Sequence, residues 1–263
     1  FYYVLVQSFN KGLSALNGGI YLWPKEFTLE NYQSFFTDPK WLNAIVISVL
    51  RTVTGTCIGV FLTCIVSYGL SFERLLFRKF YMTVLIIAMY FSGGIIPYYV
   101  NLRNLRLINT FWVYIVPEAL NIFFVLVGIS FFKQIPSEVF DSAYVDGAND
   151  LIIFLKLVLP VSKPFLATIA LFIGVEQWNN WFHSAFFIHD KKLYTLSYLM
   201  MEVINKTQLG GNVMSGGGRR STAVTSFSLQ TAAIVIATVP IVCAYPFLQK
   251  YFVKGIMIGS VKG

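Results

Sequence analysis

Between residues 41 and 70 the chain carries one charged side chain, Arg51, in a run long enough for a helix to cross a bilayer, which takes about 20 apolar residues. Further apolar runs lie at 1–9, 80–99 (loosened by Ser92, Gly93, Gly94 and Pro97 at its far end), 111–132, 161–182 and 229–248. Inside hydrocarbon each backbone N–H and C=O must find its partner within the segment, so runs of this kind fold as helices. The expectation is an all-α, polytopic membrane protein, a single domain over 1–263, with about six spans. The first span reads as the remnant of a longer one, because the chain opens at Phe1 without a Met and on a short apolar run. Charged residues make up 12% of the chain against roughly a quarter in soluble domains, which excludes an ordinary soluble fold. The net charge of +8 is scattered over loops without a basic stripe and interleaved aromatics, so it suits membrane flanks rather than nucleic acid.

Chemistry of the catalytic kind finds no foothold. His183 and His189 have no acidic or cysteine partner at metal-ligand spacing. The glycines at 216–218 precede Arg219 without the Gly-Lys-Ser/Thr ending of a phosphate loop. Cys57 and Cys64 lie roughly 10 Å apart along one helix, too far for a disulfide, and with Cys243 they read as apolar packing residues. On the 41–70 span, Gly55, Gly59, Thr63 and Ser67 recur every four residues, a ridge on which another helix can approach closely. Thr28 suits the start of a short surface helix in the loop before it.

The one ordered polar interlude is the loop 134–160. Pro136 and Ser137 open a helix with Ser137 as cap, and Glu138 sits against the positive end of its dipole. Gly147 supplies the left-handed residue that ends it, and Asn149 or Asp150 caps a second helix that stops near Pro160. Val139, Phe140, Ala143 and Tyr144 form an apolar stripe. A partner protein is expected to cover that stripe.

Residues 141–148, with Leu159, Pro160 and Pro164 downstream, resemble the EAA loop of ATP-binding cassette importer permeases: Glu-Ala-Ala, three residues, Gly, then a hydrophobic-Leu-Pro end. Asp141 and Ser142 stand where the family has Glu and Ala. The stretches 163–172, 177–182 and 249–263 resemble the carbohydrate branch, the maltose-type and oligosaccharide permeases. The resemblance implies a type I importer fold in the bacterial cytoplasmic membrane, with the loop inside. The Lys and Arg count alone does not decide orientation, with nine on one side and ten on the other. It also implies that Glu138, Asp141, Ser142, Ala143, Tyr144, Asp146, Gly147 and Ala148 belong to a coupling helix seated in a groove of an ATPase subunit. ATP and Mg would be bound by that partner, not by this chain. The remaining implied partners are a second, similar permease, a second ATPase subunit and an extracytoplasmic sugar-binding protein. The tail from Tyr251 is similar to tails that reach between the ATPase subunits. A self-sufficient secondary transporter or channel is the alternative. It should show an internal repeat, and none is visible.

Polar groups within spans are costly and therefore face a cavity or a partner. Arg51, Glu118 and the group Glu176, Gln177, Trp178, Asn179, Asn180 and Trp181 fall at similar depths on three runs. Two readings stand. In one, Glu118, Asn121, Gln177, Trp178, Asn179, Asn180 and Trp181 line an outward-opening sugar pathway, amides and carboxylates meeting hydroxyls and aromatics meeting the C–H faces of the rings. In the other, Arg51 and Glu118 are a structural ion pair, and the tryptophans belong to an interfacial belt.

Overall fold

The computed structural model describes residues 1–12, 14, 22–211 and 226–259. The glycine stretch at 216–219 and the end of the tail, 260–263, lie outside the described residues. Regular structure among the described residues is helical, apart from a lone antiparallel bridge between Asn10 and Phe27. The chain divides into two compact units, Phe1–Leu50 with Trp178–Tyr245, and Arg51–Gln177 with Pro246–Gly263.

The first unit begins with α1 (Tyr2–Ser8) and α2 (Glu30–Thr37). Buried Asn31 holds the intervening segment against α1, its amide donating to the carbonyls of Ser8 and Asn10 at 2.9 Å each. Thr28 starts α2 as expected, its hydroxyl accepting from the Glu30 N–H at 3.2 Å. The long helix α3 (Pro39–Ser71) then begins, and its Trp41 ring meets Phe35 edge-on at 4.4 Å. Buried Phe35, Ala232 and Ala233 form the core here.

The second unit holds the rest of α3, then α4 (Arg78–Tyr90), α5 (Ile95–Asn104), α6 (Ile122–Phe132), α7 (Ser137–Val145), α8 (Asp150–Ile153) and most of α9 (Lys163–Asn179). In the first unit, α10 (Phe182–Phe187) and α11 (Leu196–Gly211) follow α9, and then comes α12 (Ser226–Gly259). The small-residue ridge on α3 is used for packing. A Cβ at Gly59 would stand 3.3 Å from Ile173 of α9, and one at Gly128 of α6 only 2.4 Å from the Ser67 hydroxyl. Cys64, Tyr68, Phe132, Ile153, Phe154, Val158, Phe165 and Ile169 make the core. All three cysteines are free.

Among the residues whose side chains are described, which in α12 leaves the run Phe227–Cys243, α3 is the one unbroken helix long and apolar enough to cross a membrane. Three further crossings arise only if bent pairs count as one: α4 with α5 (119°), α6 with α7 (78°), and Asp150–Val161 with α9 (83°). The run 80–99 breaks at the glycines expected to loosen it, and the run 111–132, expected as a single rod, is interrupted as well. In 80–99 the helix stops at Ser92, Gly93 and Gly94, the last at φ +81. In 111–132 a single 3-10 turn, Phe111–Tyr114, gives way to irregular chain through Pro117, and α6 starts only where the Asn121 side chain accepts from the N–H groups of Phe123 and Phe124. Helices α4 and α5 leave Phe80, Tyr81, Ile87, Tyr90 and Ile96 exposed, as helices turned to lipid or to another apolar surface do.

Candidate functional site

Arg51 on α3 is fully buried in the second unit. Its Nε donates to Gln177 Oε1 at 2.9 Å and its Nη2 to Glu118 Oε2 at 3.4 Å, while Gln177 Nε2 donates to the same carboxylate oxygen at 3.3 Å. The guanidinium also lies 4.7 Å from the centre of the Tyr114 ring. Gly55, one turn along α3 from Arg51, makes room for this triangle, since a Cβ there would sit 2.8 Å from Gln177 Cδ. Arg51 and Glu118 thus lie within ion-pair distance, and Gln177 joins them as a third member rather than a free amide.

Glu118 was expected inside a helical span, yet it sits on the irregular segment before α6. Non-helical backbone at membrane depth is tolerated only where protein buries it or where it lines a water-filled cavity. Helix α3 covers the segment on one side, and a cavity adjoins it. The Ala119 carbonyl lies 3.7 Å from where a Cβ would project at Gly59, and a cavity of about 310 Å³ opens on the other side. Glu118, Asn121, Glu176 and Gln177 line it together with Met89 and Phe123. Exposed Glu176 facing lipid would carry a penalty of about 2.5–3.5 kcal/mol near the membrane centre, a cost that its place at this cavity avoids.

The four other residues expected on the pathway belong to the first unit. Trp178 is buried, and its indole N–H donates to the Ala237 carbonyl at 2.9 Å while Ser197 donates to its own carbonyl. Asn180 is half-buried and accepts from the Phe182 N–H at 3.0 Å at the start of α10. Asn179 and Trp181 are exposed. Thus Glu118, Asn121 and Gln177 gather at one cavity, whereas Trp178 and Asn180 are engaged in holding backbone.

The loop helix α7 is built largely as its sequence suggests. Gly147 takes φ +78, and the Ala148 N–H closes back onto the Ala143 carbonyl at 3.0 Å, a Schellman ending. Asn149 caps α8, accepting from the Ile152 N–H. At the other end Pro136, not Ser137, occupies the cap position, and no side chain caps the helix there. Three of the four stripe residues, Phe140, Ala143 and Tyr144, pack onto the chain's own core, with Phe140 5.7 Å from Phe72 and 6.4 Å from Tyr68, whereas Val139 is half-buried outside that cluster. What α7 turns outward is Glu138, Asp141, Ser142, Asp146 and the 87% exposed Val145.

Arg74, in the turn after α3, was not singled out from sequence. It donates to the Tyr144 hydroxyl and, at 3.4 Å, to Asp150 Oδ1, and its guanidinium lies over the Phe72 and Tyr144 rings at 5.0 and 5.3 Å. Tyr144 in turn donates to Asp150. Burial, and after it that bond, push the Tyr144 phenol above its usual value. The one sequence signal for Arg74 is its place in the short basic turn 73–79.

No family model matches the chain. Protein LplC of Bacillus subtilis is 36% identical over the whole chain and 88% of its own length. The polygalacturonan/rhamnogalacturonan transport system permease protein YtcP of the same organism is 35% identical, again over the whole chain and over 92% of its own length. This chain belongs to the permease subunits of ABC sugar importers. The permease is also 28% identical to the arabinooligosaccharide transport permease AraQ of Halalkalibacterium halodurans, over 99% of this chain and 89% of that one. Its fold matches a chain of a bacterial ABC transporter involved in import of the acidic polysaccharide alginate. That likeness has a TM-score of 0.86 and 25% identity, over 95% of this permease and 89% of the other chain. The permease is accordingly an integral membrane protein with the all-α fold of ABC importer permeases.

Proposed function

We propose that this permease forms half of an oligosaccharide path through a bacterial cytoplasmic membrane, the other half coming from a second, similar permease. Two ATPase subunits bind ATP and Mg and carry the hydrolysis, one of them seated on α7. An extracytoplasmic binding protein delivers the sugar to the cavity at Glu118, Asn121 and Gln177. Transport permeases named for polygalacturonan/rhamnogalacturonan and for arabinooligosaccharides, at 35% and 28% identity, support a saccharide cargo of more than one unit. In the first unit, exposed Asn179 and Trp181 offer chemistry suited to sugar, an amide for hydroxyls and a ring for C–H faces.

The observation that carries the coupling assignment is the way α7 spends its two faces. Its apolar side is already fixed to its own chain, and its outer side offers Glu138, Asp141 and Asp146 around Val145. Such a face is fixed from behind and suited to a groove that brings cations and an apolar socket. ATP-driven closure of the ATPase pair would then move α7 and switch the bundle between outward-open and inward-open states.

The test is a Glu138→Cys variant in the importer purified with its ATPase. A short bifunctional reagent should join position 138 to the ATPase, and ATP with vanadate should change the yield. Sugar uptake into proteoliposomes should need ATP on the α7 side. Uptake by the permease alone, or no cross-link from position 138, would refute the reading.

A further inference from the structure

Three routes lead from α7 into the body of the second unit. Upstream, the chain enters α6 through a 78° bend at residues 133–136. Downstream, it passes α8, a π-helical turn at Phe154–Val158 and an 83° bend before α9. Both covalent routes therefore run through breaks, where small changes of φ and ψ absorb displacement. The third route goes through space. Tyr68 and Phe72 at the end of α3 meet Phe140, and Arg74 just beyond them meets Tyr144 and Asp150 on either side of Gly147. From there α3 runs unbroken back to Arg51, about 30 Å away at 1.5 Å per residue. At that point it carries the guanidinium that holds Glu118 and Gln177.

We propose that Arg74 is a positioning residue for transport: it pins α7 to the end of α3, so that α3, not α6 or α9, carries movement of α7 to the Arg51–Glu118–Gln177 triangle. The proposal rests on α7 being the helix that docks on the ATPase. The pin is geometric rather than a source of stability. Arg74 and Asp150 have side chains 62% and 66% exposed, and exposed ion pairs contribute little to folding. What Arg74 adds is direction. Its Nη2 donates to acceptors on both sides of Gly147 while the guanidinium lies over two rings, which limits the swing of α7 about Phe140. Lys133 and Glu73, 3.4 Å apart, offer a weaker exposed strut on the upstream side.

The permease carries its own reporter site. Cys57 is exposed on α3, less than two turns from Arg51, whereas Cys64 is buried. With Cys243→Ser in place, an environment-sensitive fluorophore on Cys57 in the permease–ATPase complex reports movement of α3 when ATP, Mg and vanadate are added. No knowledge of the sugar is needed. Arg74→Ala should reduce the ATP-driven signal about fivefold, the low end of ordinary coupling between sites. It should leave the thermal midpoint within about 2 °C of the parent. Arg74→Lys should recover part of the signal, and exchanging the charges with Arg74→Asp and Asp150→Arg should recover most of it. If Arg74→Ala fails to assemble, Tyr144→Phe, which removes one hydroxyl, should give about a twofold reduction. An undiminished signal in Arg74→Ala, or in Tyr144→Phe where the first variant is lost, overturns the pin while cross-linking from position 138 persists. Loss of that cross-link in the otherwise unaltered complex instead brings down the docking of α7, and the pin with it.

Discussion

Removing Glu118 separates the two roles open to the buried triangle. In Glu118→Ala the Arg51 guanidinium, fully buried in the parent, loses its carboxylate while keeping Gln177 Oε1 at 2.9 Å and the Tyr114 ring at 4.7 Å. Two unit charges 3.4 Å apart attract by about 5 kcal/mol at an effective dielectric constant near 20. Orphaning a partner of a fully buried pair costs about 3–5 kcal/mol. Glu118 keeps 22% of its side-chain surface, so water entering the cavity recovers part of this. The expected cost is therefore about 2–4 kcal/mol, read as a fall of roughly 5–10 °C in the thermal midpoint of the purified importer. The decisive variant replaces the whole triangle: Arg51→Met, Glu118→Leu and Gln177→Leu together. Gln177 must be included, because leaving its buried amide without partners would cost about 1–3 kcal/mol by itself. An apolar set of similar volume should return stability to within about 1 kcal/mol of the parent, as with other buried ion networks. Uptake into proteoliposomes then decides. A sugar path needs the carboxylate and the amide, so uptake should stay at least about tenfold down although stability has returned. Uptake at the parental rate would refute the pathway role and leave the triangle purely structural. No loss of stability in Glu118→Ala would refute the ion-pair geometry itself.

At Gly147 an added Cβ meets nothing within 4 Å, so Gly147→Val is penalised only through its φ of +78, by about 1–3 kcal/mol. The end of α7 should fray and uptake fall severalfold, whereas Gly147→Asn is tolerated; a fully active Val variant would refute the Schellman ending as a requirement. Gly128→Ala places a Cβ 2.4 Å from the Ser67 hydroxyl and threatens its 3.0 Å bond to the Val125 carbonyl, an overpacking cost of about 1–3 kcal/mol. Its thermal midpoint should drop, and a compensating Ser67→Gly should restore it; failure of that rescue would count against close packing of α6 on α3. Because the Tyr144 phenol is pushed above its ordinary 10.0, its neutral form is the folded one. The contribution of that form is complete below the unfolded value and disappears only as pH climbs through the raised one. The ratio of parental to Tyr144→Phe uptake should therefore be flat from about pH 6 to 9, and a step in that interval would refute the assignment.

What could be read in the sequence, and what could not, divides along a physical line. Gly147 and Asn149 were legible because a left-handed residue and an Asx cap act on backbone within a few positions of themselves. Arg51 and Glu118 were legible because a charge in an apolar run demands an explanation wherever it falls. Apolar faces make no such demand. Nothing in Val139, Phe140, Ala143 and Tyr144 says whether a partner or the chain itself will cover them, and Tyr68 and Phe72, which receive Phe140, lie some seventy residues upstream. The same anonymity hid the break in 111–132, where hydropathy averages over the few residues before Asn121 that redirect the chain, whereas the break in 80–99 was announced by Ser92, Gly93 and Gly94 themselves. Trp178 and Gln177 show the remaining source of error. Each has a polar handle that could serve a sugar or a neighbouring chain segment, and sequence proximity joined them in one expected cluster. In the fold the indole answers to the Ala237 carbonyl and the amide to Arg51 and Glu118, partners fifty-nine or more positions away. The triangle consequently marks a place where α3, α9 and the irregular segment before α6 must keep register. A sugar that competes for Glu118 or Gln177 would loosen that register at the far end of the helix that Arg74 ties to α7. Substrate arrival and ATPase movement would thus act on the same rod from opposite ends.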